Sequence, residues 1–196
     1  MSTRHFLILI ALTASALSGC ASIPKSACQS GDWYDIGMRD GASGRAEDRF
    51  LDHAQACAKH GLPSDRNQWM LGRSRGLERY CTARNGVAVG EASNRYAGVC
   101  PADSEPAFLR GYDVGRDLHE TRSRLAWLDG EMHRIRVLLE PRRDKDKNDD
   151  DKQKHEKPLS DAERTSLAIQ LGMHLVERER VSHEVFEIEQ VARRIE

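Results

Sequence analysis

A glycine pattern that recurs between residues 34 and 115 constrains the fold more than any other feature of the sequence. Each copy has an aromatic residue, a glycine three residues later and a second glycine four residues after that. These spacings place all three residues on one face of an α-helix. Each interior glycine costs about 1 kcal/mol relative to alanine, so matched glycines indicate helices that cross with closely approaching backbones. A groove whose exposed backbone holds a ligand is the alternative. The copies are Tyr34-x-x-Gly37-x-x-x-Gly41, Trp69-x-x-Gly72-x-x-x-Gly76 and Phe108-x-x-Gly111-x-x-x-Gly115.

The sequence pattern changes between the second and third copies of the glycine pattern. Asn85-Gly86 is a strong turn signal, and short apolar stretches follow it on the way to Cys100. This pattern predicts an irregular loop or a small hairpin, which would serve either as a recognition loop or as a rigid connector. Residues 32–120 are therefore expected to form a small helical domain with weak internal repetition.

The last third of the chain has two apolar stripes with spacings of three and four residues, separated by the charged stretch 141–158. The stripes predict an antiparallel helical pair, residues 104–140 against 160–195, and the charged stretch predicts a disordered connector. Three alternatives follow for such a pair: it packs only within its own chain, it forms a dimer, or it binds a partner protein. The stripes are Leu118, Thr121, Leu125, Leu128, Met132, Ile135 and Leu139, and then Leu167, Leu171, His174, Arg178, Val181, Val185, Ile188, Ala192 and Ile195.

The first twenty residues have the order of an export signal. A base, Arg4, precedes a short apolar run that ends at Leu17-Ser18-Gly19-Cys20, which resembles a bacterial lipobox. The resemblance implies a signal peptide at 1–19, lipid on Cys20 and a tether over 20–31. An ordinary signal peptide, cut earlier, is the alternative. Residues 21 and 22 are Ala and Ser, without the Asp of the inner-membrane retention rule, so an outer-membrane anchor facing the periplasm is expected.

Five cysteines in an exported chain leave an odd one to explain. Lipid on Cys20 accounts for it, and the remaining four are expected to form two disulfides in an oxidising compartment. Four cysteines allow three pairings, among which we favour the two local ones, Cys28–Cys57 and Cys81–Cys100. No pair has CxxC spacing and no histidine is suitably interleaved, which argues against a metal site.

The fold class expected from these features is mainly α, with a disulfide-stapled helical domain, a short irregular or hairpin insert and a C-terminal antiparallel helical pair. One set of residues in this region resembles a family of Gram-negative lipoproteins catalogued as a domain of unknown function. The resemblance extends over about residues 28–120. It implies an envelope lipoprotein with a small helical domain, and it implies no activity or substrate. The residues are Asp32-Trp33, Gly37, Asp40-Gly41, Cys57, Gly72, Gly76-Leu77, Tyr80-Cys81, Asn85-Gly86, Gly90 and Tyr96-x-Gly98-Val99-Cys100-Pro101.

Three classes of function remain open, and the leading one is a non-enzymatic lipoprotein with a structural or protein-interaction role, whose partners would be envelope proteins or peptidoglycan. The second is a ligand- or glycan-binding module that uses Trp33, Trp69 and Tyr96 as a groove. The third is a cryptic enzyme, for which Asp113, Asp117 and His119 are the nearest to a cluster, although no catalytic motif is present. Basic residues (30) and acidic residues (31) are balanced and unclustered, which argues against nucleic acid, and no cofactor is expected.

Overall fold

The computed structural model describes residues 23–140 and 158–195. The predicted signal peptide, Cys20 and nearly all of the charged connector lie outside this part of the chain. Within it the secondary structure is helical, and the helices are α1 Lys25–Ser30, α2 Trp33–Ala42, α3 Arg49–Ala58, α4 Arg66–Tyr80, α5 Ala83–Glu91, α6 Glu105–Leu139 and α7 Asp161–Arg194. The expectation of a mainly α fold is confirmed. No helix in the described ranges is long and apolar enough to cross a membrane.

The chain forms two compact units. Of the described residues, unit 1 comprises 23–81 and Tyr96–Ala102, and unit 2 comprises Thr82–Arg95, 103–140 and 158–195. The region predicted as one domain, 32–120, is thus divided at Cys81, so that each unit holds part of the glycine pattern.

Unit 1 is built around α2 and α4, which pack together through their glycines. A Cβ atom placed on Gly37, Gly41, Gly72 or Gly76 would lie only 1.9–2.2 Å from a backbone carbonyl oxygen of the facing helix. Real Cβ atoms do not come so close, and the glycine hydrogen pointing along that direction makes the Cα–H···O contact typical of closely packed helices. The predicted close approach of backbones is therefore confirmed.

Unit 2 repeats this arrangement with α5 and α6. Gly86 and Gly90 of α5 face Gly111 and Gly115 of α6, and Cβ atoms at these positions would again lie 1.9–2.2 Å from carbonyl oxygens. The segment beginning at Ala83 is a fourth copy of the pattern, with alanine in the aromatic position. The prediction of a turn at Asn85-Gly86 is wrong, because these residues lie inside α5; the irregular part of the insert begins only after Glu91.

Each glycine pair joins parallel helices. Gly37 faces the carbonyl of Trp69, and Gly41, one turn further along, faces that of Arg73. Gly86 and Gly90 advance in the same way along α6, past Phe108 and then Tyr112. Parallel helices cannot be joined by a tight turn, so the chain must run back along each pair. Residues 43–65, which include α3, make the return between α2 and α4. Residues 92–104, of which Tyr96–Ala102 belong to unit 1, connect α5 to α6.

The second half of α6 packs against α7 as the predicted antiparallel pair. Arg122 pairs with Glu189 and Asp129 with Arg178, so positions rise along one helix as they fall along the other. The buried positions of α6 include five of its stripe, and Val181 is the buried centre of the α7 stripe. Ser160 and Glu163 form the capping box that opens α7. The stripes therefore identify the contact faces correctly.

Candidate functional site

Both favoured cysteine pairings are present in unit 1. Cys28 of α1 is bonded to Cys57 at the end of α3, and Cys81, just after α4, is bonded to Cys100. All four residues are buried. Cys28 lies in a helix that occupies part of the stretch assigned to a tether, residues 20–31, so the folded unit begins earlier than the sequence indicates.

The tryptophans proposed for a ligand groove lie in the core. Trp33 is 4% exposed and Trp69 is fully buried, and both rings pack against Phe50 at centroid distances of 5.9 and 5.5 Å. A groove lined by these indoles would require exposed rings, which this packing does not provide. The third residue, Tyr96, is half-buried, and its hydroxyl accepts a hydrogen bond from the Cys100 amide at 2.9 Å. Trp33, Trp69 and Tyr96 therefore stabilise the fold and do not line a groove together.

A buried polar network connects three helices of unit 1. The Oδ2 atom of Asp40 accepts a hydrogen bond from the indole Nε1 of Trp69 at 2.9 Å and lies 2.8 Å from Nε2 of His53. The imidazole is 1% exposed, and its Nδ1 atom makes no hydrogen bond to the described residues. A carboxylate–histidine pair is a common catalytic element, but a ring so enclosed cannot reach a substrate. We assign the network to stability.

Opposing effects set the pKa of Asp40. Burial by itself raises the pKa of this carboxyl, but the hydrogen bonds with His53 and Trp69 and the electrostatic interactions with His53 and Arg49 together outweigh burial. The net result is a pKa below the ordinary value of 3.8. The group is thus held as a carboxylate in a site where an unpaired charge would be costly.

The acidic and histidine residues considered for catalysis lie on the surface. Asp113, Asp117 and His119 are exposed on α6, and the Nδ1 atom of His119 lies 2.9 Å from the Glu91 carbonyl oxygen. His60, seven residues after His53, is exposed as well. No cluster of three or more His, Cys, Asp or Glu residues within the described ranges has the geometry to hold a metal ion.

Unit 2 has an open groove with a volume of about 1000 Å³ between α5, the middle of α6 and the end of α7. Leu118, Val87 and Ala192 contribute apolar surface, and Arg84 and Arg193 contribute guanidinium groups. A groove of this composition suits an anionic ligand or peptide with an apolar portion.

Arg122 connects the three helices that form the groove. Its guanidinium pairs with Glu91 of α5 and, at 2.6 Å, with Glu189 of α7. The hydrogen bond to Glu189 and the interactions with Glu91 raise the pKa of Arg122 against a smaller opposing effect of burial. The two carboxylates therefore neutralise this arginine. Arg193 lies 3.9 Å from the same Glu189 carboxylate, a long ion pair that a ligand could replace, and Arg84 is the second cation of the groove. Sequence reasoning missed the groove because its residues come from three distant segments.

The central part of the chain is similar to one known protein family. Residues 32–117 match the model of a family described as a protein of unknown function, DUF2799. The predicted resemblance to a domain of unknown function is thereby confirmed, with limits close to those expected. The matched segment contains all four glycine copies and ends inside α6, so the helical pair extends beyond it. No curated protein and no solved structure matches the chain.

Proposed function

We propose that this protein is a membrane-anchored envelope lipoprotein with a structural or protein-interaction role. The observation that carries the proposal is the distribution of the five cysteines. Four of them are consumed in the two disulfides of unit 1, a pattern suited to an oxidising compartment. The fifth, Cys20, ends the lipobox-like sequence, where a thiol is required as the acceptor of the lipid.

The start of α1 limits how far unit 1 would lie from the membrane. Lys25 opens the helix five residues after Cys20. An extended chain advances at most 3.3–3.6 Å per residue, so lipid on Cys20 would hold the first helix within about 18 Å of its attachment point. The anchor would act as a short tether, and unit 1 would stay at the bilayer surface.

The interaction role is supported by the helical pair of unit 2. Two helices of 35 and 34 residues expose large apolar side chains, among them Val137 and Val176. Exposed apolar side chains in such number are typical of surfaces that bind other proteins. Non-enzymatic action and an outer-membrane address facing the periplasm remain predictions, and the envelope partners would be proteins or peptidoglycan.

Metabolic labelling with a palmitate analogue tests the anchor. The wild-type chain should incorporate the label and fractionate with the outer membrane on a density gradient. The Cys20→Ala variant should incorporate none, because the acceptor thiol is missing. Equal labelling of the two chains would overturn the proposal. Crosslinking in intact envelopes then tests the interaction role, which requires a reproducible protein or peptidoglycan neighbour.

Ligand binding is the second candidate function, now at the groove of unit 2. The observation that favours it is the apolar surface flanked by Arg84 and Arg193. Binding of an anionic amphiphile such as dodecyl phosphate should weaken about tenfold or more when both arginines are replaced by glutamine, since each contributes a charge-assisted hydrogen bond. The exposed pair Arg110 and Arg136 provides a matched control. Equal affinity of both variants would exclude the groove as the site.

A further inference from the structure

The first part of α7 contains an uncharged stretch with more apolar residues than the face that meets α6 can cover. Residues 166–176, Ser-Leu-Ala-Ile-Gln-Leu-Gly-Met-His-Leu-Val, contain no Asp, Glu, Lys or Arg in a chain that is 31% charged. Leu167, Leu171 and His174 belong to the stripe that faces α6. Ser166 and Gln170 form a polar side of the stretch, where Gln170 donates a hydrogen bond to Ser166 at 3.3 Å. The other large apolar side chains of the stretch are mostly exposed. A cluster of exposed apolar side chains of this kind is typical of a binding surface.

Four large side chains make up most of the uncovered face. The exposed fractions are 60% for Ile169, 67% for Met173, 46% for Leu175 and 75% for Val176. Together they present on the order of 500 Å² of apolar surface, which matches the largest patch of a typical monomer and is often functional at that size. We call these four residues, with Ala168 and Gly172, the outer face of α7.

Gly172 sets this face apart from the glycine pairs. The eight glycines of the four copies are covered by a facing backbone, whereas a Cβ at Gly172 would meet nothing within 4 Å. Ala168 lies one turn before it and is also exposed. Two small residues one turn apart allow another helix to approach closely, as the covered pairs of this chain do.

We propose that the outer face of α7 binds the same face of a second copy of this chain, with two α7 helices crossing antiparallel at Gly172. The face is self-complementary in this register. Antiparallel pairing about Gly172 sets each small Ala168 opposite the larger Val176 of the other copy. At the ends it sets Thr165 opposite Glu179 and Asp161 opposite His183. All four residues are exposed. The imidazole of His183 can donate a hydrogen bond to the Asp161 carboxylate, whereas the hydroxyl of Thr165 already donates to the Asp161 carbonyl oxygen at 2.8 Å.

The area supports a second copy as the occupant. Two such faces bury about 1000 Å² in total, which is near the lower limit for a specific interface. The result would be a four-helix arrangement with two-fold symmetry, in which each copy contributes α6 and α7. The outer face of α6 is a weaker candidate. Its uncovered glycine, Gly130, lies beside Asp129 and close to the paired charges of Glu131 and Arg134.

This inference deepens the proposed function by naming a partner, and it rests on the interaction role rather than on the lipid. Cross-linking combined with palmitate labelling distinguishes failure of the lipid anchor from failure of the pairing. A cross-linked dimer without palmitate label would contradict the anchor alone, and labelled monomer without cross-linking would contradict the pairing alone.

Thiol cross-linking of the full chain in intact cells provides the test. Gly172→Cys places a thiol at the crossing point, and Gly130→Cys is the matched control, since it makes the same change at an equally open glycine of the partner helix. With a short bis-maleimide, the first variant should give a cross-linked dimer and the second should not. Both variants keep their native disulfides, which mass analysis of the purified protein checks.

Adding Val176→Asp to Gly172→Cys should lower the dimer fraction about tenfold or more, because the interface would bury an unpaired carboxylate. The side chain is exposed in the single copy, so the helical content by circular dichroism should not change. Absence of dimer with Gly172→Cys overturns the proposal, as does cross-linking through Gly130→Cys instead. The Gly172→Cys variant could instead be protected from a water-soluble maleimide without forming a dimer. That result would assign the outer face of α7 to a different protein or to a lipid surface, and it would also overturn the proposal.

Discussion

Asp40 connects three segments of unit 1 through one oxygen atom. It lies on α2, its hydrogen-bond partner Trp69 opens the glycine pattern of α4, and His53 belongs to α3. A buried carboxylate is stabilising only while its partners are in place, because removing a partner leaves an unsatisfied charge. The position of α3 against the α2–α4 pair therefore depends on this residue.

Replacing Asp40 with asparagine should destabilise unit 1 by about 1–3 kcal/mol, because the charge on the shared acceptor is lost. The measurement is urea unfolding followed by tryptophan fluorescence of a Trp127→Phe background, in which the signal reports on Trp33 and Trp69 alone. Asp35→Asn is the control: Asp35 lies on the same helix, and its ion pair with Arg39 is exposed to solvent. Exposed ion pairs contribute little. Equal effects of the two substitutions would contradict the assigned role.

The lowered pKa of Asp40 predicts a dependence of stability on pH. A carboxyl group whose pKa is lower in the folded state stabilises the fold above its unfolded value, here 3.8, and the stabilisation is lost as the pH falls through the folded value. The difference in unfolding free energy between the wild type and Asp40→Asn should therefore shrink as the pH falls below about 4. Unfolding curves at a series of acidic pH values check this, and a difference that grew on acidification would contradict it.

At the scale of single residues, the sequence indicates which side chains matter better than it indicates their contacts. Trp33 and Trp69 are predicted to line a surface groove, whereas both are core residues. The glycine pattern also takes Tyr34 as the aromatic residue of the first copy, although Tyr34 is 41% exposed and the neighbouring Trp33 is buried. The contacts that decide these positions join residues 13 and 29 positions apart, which no local pattern encodes.

Helix pairing in this chain depends on glycines that have no room for a side chain. Gly111→Ala would place a Cβ 1.9 Å from the Ala83 carbonyl oxygen, and backbone atoms on both sides would have to move. Overpacking of this kind costs about 1–3 kcal/mol, more than the gain of about 1 kcal/mol in helix propensity. We expect net destabilisation in thermal unfolding followed by circular dichroism.

Gly130→Ala makes the same change in the same helix, where a Cβ meets nothing within 4 Å. Only the propensity gain applies, so this variant should be more stable than the wild type by up to about 1 kcal/mol. If both substitutions shifted the unfolding temperature in the same direction, the packing role of the paired glycines would be refuted.

At the level of helices, the sequence predicts the contact faces of α6 and α7 correctly but predicts the conformation of residues 85–91 wrongly. The stripes of α6 and α7 have the periodicity of their contact, and the capping box at Ser160 marks the start of α7 correctly. The fourth glycine copy was missed because Asn85-Gly86 is also a turn signal. The spacing from Ala83 to Gly86 and Gly90 equals that of the other copies, and this longer-range regularity outweighs the dipeptide. Tertiary packing of α5 on α6 decides between the two.

In the whole molecule, both disulfides belong to unit 1, whereas the long helices of unit 2 rely on packing and ion pairs. Replacing Cys28 and Cys57 together with alanine opens a loop of 29 residues and should destabilise unit 1 by about 3–4 kcal/mol. Hydrogen exchange followed by mass spectrometry should show faster exchange in α2 and α4. Exchange in the α6–α7 contact should stay unchanged, and a comparable acceleration there would contradict the division into two units.

The account as a whole depends on the fate of one thiol, and the intact mass of the protein extracted from membranes reports it directly. We predict a chain that begins at Cys20 and carries the added mass of acyl chains. On reduction it should gain the four hydrogens of two opened disulfides. A chain that retains residues 1–19, carries no added mass and gains no hydrogens on reduction would contradict the proposed anchor and its compartment together.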